Sequence, residues 1–114
     1  MEKFDKGIWN RLNFDGECIA AELIATSEDC RRWVAVYKAK KNHPLSPWRE
    51  KEYLFSILDF ELKTDLLDEY FSEEDKQNQK RFYFDSEVDL LNLLQEQKID
   101  LALFAYPWKC DYPL

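Results

Sequence analysis

The sequence predicts one α+β domain, residues 1–114, in which a small antiparallel or mixed sheet of about four to five strands packs with two helices. A chain of 114 residues has the length of a single domain and can bury about two thirds of its unfolded surface. Hydrophobic residues make up 46% of the chain, which argues against disorder. Segments of alternating polarity come before most segments of helical spacing, which places three or more strands ahead of two helices.

Three alternating segments predict the first strands. Residues 17–26 favour a strand that follows a tight turn at residues 13–16, although helical spacing also fits them. Residues 32–40 alternate more clearly and are rich in β-branched and aromatic side chains. Residues 27–30 would be the turn between these two strands, and residues 52–62 predict a third strand. The Pro-rich segment 42–47 is the best candidate for an internal loop.

The spacing of apolar residues changes after residue 63. Thr64 can cap a helix, and Leu66, Leu67, Tyr70 and Phe71 would share one helical face. Residues 72–79 are polar and predict a loop.

The last third of the chain predicts a strand, a helix and another strand. Residues 81–84 indicate a short strand, and Asp85 or Ser86 would cap a helix that continues to about residue 97. Residues 99–106 are almost wholly apolar, which is typical of a buried central strand. These elements could form a right-handed crossover unit. The tail, residues 107–114, is expected to be extended because it contains two prolines.

The formal net charge of −7 comes from one stretch. Eight acids and one base lie between Asp59 and Asp75, and the remaining fifteen acids and fifteen bases balance. The same stretch contains Phe60, Tyr70 and Phe71. A localised acidic surface with aromatic residues suits a basic partner. It argues against nucleic acid as a direct ligand, since duplex binding needs Lys and Arg. The plainer alternative is a solvated helix face and loop.

Residues that commonly carry catalysis are few. Only two glycines occur, so a Gly-rich phosphate loop is excluded. His43 is the only histidine and lies in the Pro-rich segment, where an exposed loop residue is expected. Cys18, Cys30 and Cys110 form no CxxC motif and are typical of reduced thiols in a cytosolic protein. The acidic stretch lacks the glycine of calcium-binding loops, and its acids are expected to be solvated. We therefore predict no catalytic residues, no metal and no cofactor.

The chain contains no apolar run long enough to cross a bilayer, and residues 1–6 are charged rather than typical of a secretory signal. A cytoplasmic protein that does not contact membranes is therefore expected.

Two further clusters have structural explanations. The bases Arg31, Arg32, Lys38, Lys40 and Lys41 would protect an edge strand from unwanted pairing. In the tail, Trp108 and Tyr112 would either dock back on the domain or leave an exposed aromatic anchor for a partner.

The chain resembles a bacterial immunity protein, of the kind that neutralises a polymorphic or contact-dependent-inhibition toxin. The residues that carry the resemblance are the acidic and aromatic segment 65–75 and the ending, residues 104–114. The resemblance implies a small, acidic, cytosolic single domain without catalytic signatures, which binds its toxin tightly and one to one. It also implies that binding blocks or covers the active site of the toxin, and many such toxins are nucleases with basic clefts.

The resulting hypothesis is a non-enzymatic inhibitor of a basic toxin domain, with a nuclease as the expected partner. The alternative is a non-catalytic regulatory or adaptor subunit, and a small enzyme that uses Asp or Glu is a third, less favoured class. The expected partner-binding residues are Asp65, Asp68, Glu69, Tyr70, Glu73, Glu74, Asp75 and Trp108.

Overall fold

In the part of the chain that the structure describes, four antiparallel strands form one sheet in the order β1-β2-β3-β4. The computed structural model describes residues 3–38, 54–67 and 71–114. The strands are β1 (Ile19–Leu23), β2 (Cys30–Lys38), β3 (Phe55–Lys63) and β4 (Gln77–Phe84), and the helices are α1 (Lys6–Asn13) and α2 (Glu87–Glu96). This arrangement confirms the α+β class, the antiparallel sheet and the two packed helices.

Both faces of the sheet are buried, and the alternation along β2 shows why. Val34 and Val36 point to the face that the helices cover, here called the helix face, where they meet Phe55 and Ile57. Trp33 points to the opposite face, here called the tail face. The tail-face core consists of Trp33, Leu58, Phe60 and Leu62, and it is covered by Leu66, Leu67, Phe71, Cys110 and Tyr112. Two apolar faces explain why β3 is buried along almost its whole length.

Each helix begins at a side-chain cap. Of the two predicted caps of α2, Asp85 and Ser86, the structure has Ser86, which accepts a hydrogen bond from the Asp89 amide at 3.2 Å. In α1, which the sequence pattern did not predict, Asp5 accepts from the Gly7 amide at 3.0 Å. None of the helices in the described ranges is long and apolar enough to cross a membrane.

The predicted central strand at residues 99–106 is wrong, and so is the crossover unit. Asp100 caps a 3-10 turn at Leu101–Leu103, in which Leu101 is buried. Ala105 then makes an isolated antiparallel bridge to Ala20, at the outer edge of β1. The apolar run serves the core through Leu101 and Phe104, whose spacing of three residues matches a 3-10 turn rather than a strand.

The helix predicted from Thr64 is a 3-10 turn, Thr64–Leu66, in its described part. Thr64 does not cap it, because its hydroxyl donates to the Asp29 carbonyl at 3.2 Å. The expected grouping of apolar residues is nevertheless present, since Leu66, Leu67 and Phe71 all pack on the tail-face core. The predicted loop at residues 72–79 ends early, because β4 begins at Gln77.

The explanation of the basic cluster as edge protection is also wrong, because β2 lies between β1 and β3. Arg31 pairs with Glu22 at 2.7 Å, Arg32 pairs with Asp59, and the Lys38 ammonium donates to the Asn13 carbonyl. The other residues of these predictions, namely Lys40, Lys41, His43 and the loop 42–47, lie outside the described residues.

Candidate functional site

The topology brings two acidic connections to the same end of the sheet. In an antiparallel sheet of consecutive strands, the β1–β2 connection and the β3–β4 connection emerge on one side. The two are joined directly, since the Thr64 amide donates to the Asp29 carbonyl at 2.9 Å. We call the surface formed by residues 24–29, 64–67 and 71–76 the acidic end.

The acidic end carries an excess of negative charge. Its described residues include six acids and one base. That base, Lys76, is turned inward: its side chain is only 7% exposed, and its ammonium lies 5.5 Å from the ring centroid of Phe60. The acids are Glu28, Asp29, Asp65, Glu73, Glu74 and Asp75.

Two acids of the β3–β4 connection are held by neighbours. The Lys76 ammonium donates to Glu73 at 2.7 Å, and this hydrogen bond holds the pKa of the Glu73 carboxyl below its usual range. Asp75 accepts from the Ser72 amide at 2.7 Å and closes a capping box with Ser72. Asp65 and Glu74 are exposed and make no hydrogen bond or ion pair with another described residue. These two carboxylates are therefore available to a partner.

The β1–β2 connection adds acids that the sequence analysis did not include. Glu28 and Asp29 are both exposed. The Ser27 hydroxyl donates to Asp29 and lowers the pKa of that carboxyl, with a smaller contribution from Lys63. The predicted turn at residues 27–30 contains both residues, but its position beside the end of β3 depends on the pairing of β2 with β3, which the sequence pattern does not give.

The aromatic half of the predicted surface is mostly internal. Phe60 is fully buried in the tail-face core, and Phe71 is half-buried against that core. Their position among the acids therefore reflects packing rather than an exposed contact surface. Asp68, Glu69 and Tyr70, three of the predicted partner-binding residues, lie outside the described residues.

Trp108 lies away from the acidic end. It is 63% exposed and stacks on Tyr106 at 5.0 Å between ring centroids, with the Arg11 guanidinium 5.0 Å from the indole centroid. Arg11 also donates to the Cys18 carbonyl, just before β1, whereas the acidic connection follows β1. Five residues of strand separate these points, a distance of about 17 Å. The rest of the tail does dock on the domain, since the Trp33 indole N–H donates to the Cys110 carbonyl at 2.8 Å.

Two acids of the stretch are buried, contrary to the expectation that they are solvated. Asp59 is 6% exposed and Glu61 is 3% exposed. The guanidinium of Arg32 holds Asp59 through two parallel hydrogen bonds, Nε to Oδ1 at 2.9 Å and Nη2 to Oδ2 at 2.7 Å. Asp59 and Glu61 both point to the helix face, beyond the part that the helices cover.

A β-bulge brings the side chain of Asn78 next to Glu61. The pairing of β3 with β4 shifts between Asp59 and Glu61, and nearby Asn78 has a left-handed backbone with φ of 52°, which asparagine tolerates better than most residues. The Asn78 side-chain amide donates to Glu61 at 2.7 Å. On the other side, the Thr26 amide donates at 2.7 Å and the Thr26 hydroxyl at 3.0 Å.

These contacts keep Glu61 ionised. Burial alone would raise the pKa of its carboxyl, but the hydrogen bonds from Thr26 and Asn78, together with the charge of Arg32, outweigh burial. The net result is a pKa below the ordinary value of 4.5. Glu61 is therefore a buried carboxylate anion at neutral pH.

The remaining reactive groups show no sign of activation. Cys18, Cys30 and Cys110 are free, and burial raises the pKa of each thiol, which leaves them protonated at neutral pH. Within the described ranges, no group of three or more His, Cys, Asp or Glu side chains is arranged to hold a metal ion.

Comparisons of this chain with protein-family models, with curated proteins and with solved structures found no match.

Proposed function

We propose that the protein is an immunity protein that binds and neutralises a cognate bacterial toxin domain in the cytoplasm, and that the toxin is a basic nuclease. The observation that carries the proposal is the convergence of two acidic connections at one end of the sheet, where the described residues include six acids and one base that is turned inward. A surface of this kind attracts a basic cleft over several ångströms and orients it before contact.

The acids have different parts in this proposal. Asp65 and Glu74 are exposed and unpaired among the described residues, so they can form new ion pairs with Lys or Arg of the toxin. Glu73 and Asp75 keep their internal contacts and contribute mainly to the local field. Seated across the cleft, the acidic end would exclude the polyanionic substrate, which competes for the same bases.

Trp108 is left out of the proposed contact. Its distance from the acidic connections means that a partner would have to span the length of β1 to use both. Its exposed ring is also explained within the chain by Tyr106 and Arg11.

The test is a charge reversal with a matched control. Asp65→Lys combined with Glu74→Lys changes two exposed acids at the acidic end without breaking a described internal contact. Asp15→Lys combined with Asp85→Lys makes the same change in net charge at the opposite end of the sheet, where both acids are exposed. Association with the purified toxin is measured by stopped flow at several salt concentrations.

We expect the first variant to associate roughly tenfold more slowly or worse, with a weaker dependence on salt, and the control to associate almost as fast as the parent. Equal slowing by both variants would reduce the effect to net charge. Unchanged association in the first variant would refute the assignment of this surface.

A further inference from the structure

The helix face has surface cavities at the acidic end of the sheet. The helices cover the part of this face around Val36 and Ile57, but not the part around Arg32. Two cavities of about 470 Å³ and about 650 Å³ lie there, and Arg32 lines both of them. The two cavities flank the same side chain and are here called the groove together, and each has a volume within the range of sites that hold a small ligand.

The polar half of the groove contains a buried carboxylate, that of Glu61, which forms no ion pair with any residue that the structure describes. Thr26, Asp59, Glu61, Asn78 and Lys80 line this half. Asp59 is neutralised by Arg32 at 2.7 Å. Glu61 is 3% exposed. Among the described residues, its hydrogen-bond donors are all neutral: the backbone amide and hydroxyl of Thr26 and the side-chain amide of Asn78. Buried carboxylates are ordinarily paired with a cation, so this arrangement suits a cationic ligand.

The other half of the groove has an apolar wall. Ile24 is 93% exposed and Leu103 is 48% exposed, and both line the second cavity together with half-buried Leu23 and Ile99. A β-branched residue exposed this far beside a groove is available to an apolar surface of a partner. The groove thus offers a hydrophobic contact next to an anion.

We propose that the groove receives an arginine side chain and an adjacent apolar side chain from the basic partner, with the guanidinium in the polar half, where the charge of Glu61 attracts it, and the apolar group on Ile24 and Leu103. The inference rests on the proposed function, in that the partner is a basic protein, and it adds a specific side-chain site at the acidic end, here called the socket. Arginine fits better than lysine because a guanidinium is less strongly hydrated and is easier to transfer into a half-enclosed groove.

Removing the charge of Lys80 should have the opposite effect on ligand binding to removing the charge of Glu61. Its exposed side chain lines the polar half and carries the same charge as the proposed ligand. Lys80→Gln should therefore strengthen binding about twofold or more, whereas Glu61→Gln should weaken it about fivefold or more, since one change removes repulsion and the other removes attraction.

The test uses short peptides on the full chain. N-acetyl-leucyl-arginine amide, its lysine counterpart and its neutral citrulline counterpart are titrated into ¹⁵N-labelled protein, and amide shifts are followed by NMR. We expect the arginine peptide to bind in the millimolar range and to shift Thr26, Glu61 and Asn78. Citrulline should bind at least fivefold more weakly, and lysine should lie between. Ile24→Ser should weaken binding of all three peptides, whereas Phe14→Ser, at a 76% exposed site away from the groove, should leave it unchanged.

Several outcomes would overturn the socket. These are equal binding of the citrulline and arginine peptides, equal binding of the lysine peptide, shifts confined to residues 64–76, and weaker binding after Lys80→Gln. None of them depends on the toxin, so failure of the socket leaves the charge-reversal test of the proposed function intact. Failure of that test likewise leaves the peptide result to stand on its own.

Discussion

Glu61→Gln is the perturbation whose magnitude the structure defines best. Glutamine keeps one carbonyl oxygen to accept from the Thr26 amide, and its new N–H₂ can donate to Asn78 once that amide turns over. The change therefore removes charge rather than contacts. A hydrogen bond to a charged group contributes about 1.5–3 kcal/mol, against about 0.5–1.5 kcal/mol for a neutral one. With two such bonds at 2.7 Å, we expect a loss of about 2 kcal/mol at pH 7.

The stability difference between the parent and Glu61→Gln should depend on pH in a defined direction. Because the pKa of Glu61 in the folded protein lies below its ordinary value of 4.5, the stabilisation by its charge is fully present above about pH 4.5. It is lost as the pH falls through the lower, folded-state pKa. The stability gap between the parent and Glu61→Gln should therefore be constant from pH 7 to about pH 5 and should narrow below pH 4.5.

Urea denaturation followed by circular dichroism, repeated between pH 7 and pH 3, measures the gap. Glu61→Ala serves as the comparison, since it also leaves the Thr26 amide and Asn78 without their acceptor and should cost more than glutamine at every pH. A gap that stays the same down to pH 3, or a glutamine variant as stable as the parent at pH 7, would refute the reasoning.

Two further predictions concern the fold that holds the site. Trp33→Phe removes the donor to the Cys110 carbonyl and leaves a cavity in the tail-face core, so it should lower stability by about 2 kcal/mol or more, with faster hydrogen exchange in residues 110–112 as the specific readout. No change in exchange there would mean that this bond does not hold the tail. Ser86→Ala removes the cap of α2 and should cost about 1 kcal/mol in urea denaturation, whereas Ser86→Asp should restore most of it. Equal stability of the alanine and aspartate variants would contradict the role of the cap.

The strands were predictable where local pattern and burial agree. In β2 the alternation of Trp33 with Val34 survives in the structure as a division between two cores. The strand predicted at residues 99–106 was wrong because the local pattern there does not determine the structure. A short apolar segment fits a strand or a turn equally well, and its outcome was decided by the place of Leu101 and Phe104 against β1 and the helices.

The site was only partly predictable because a count of charges does not show which residues each charged side chain contacts. The acidic stretch was visible in the sequence, but Glu61 is held by Thr26, which lies 35 residues away, and Asp59 by Arg32, which lies 27 residues away. These long-range contacts turn two apparently solvated acids into buried ones. Conversely, Glu28 and Asp29 lie outside the acidic stretch and join it only through the antiparallel pairing of the strands.

The central claim is that this protein neutralises a toxin through the acidic end of its sheet. The most direct measurement is co-expression with the protein encoded immediately upstream, scored for host survival and for a co-purifying complex. We expect the parent to rescue growth and to purify in a one-to-one complex, and Asp65→Lys combined with Glu74→Lys to lose both while remaining folded. Absence of toxicity and of any complex would contradict the immunity function and favour an adaptor subunit, and full rescue by the reversed variant would contradict the surface.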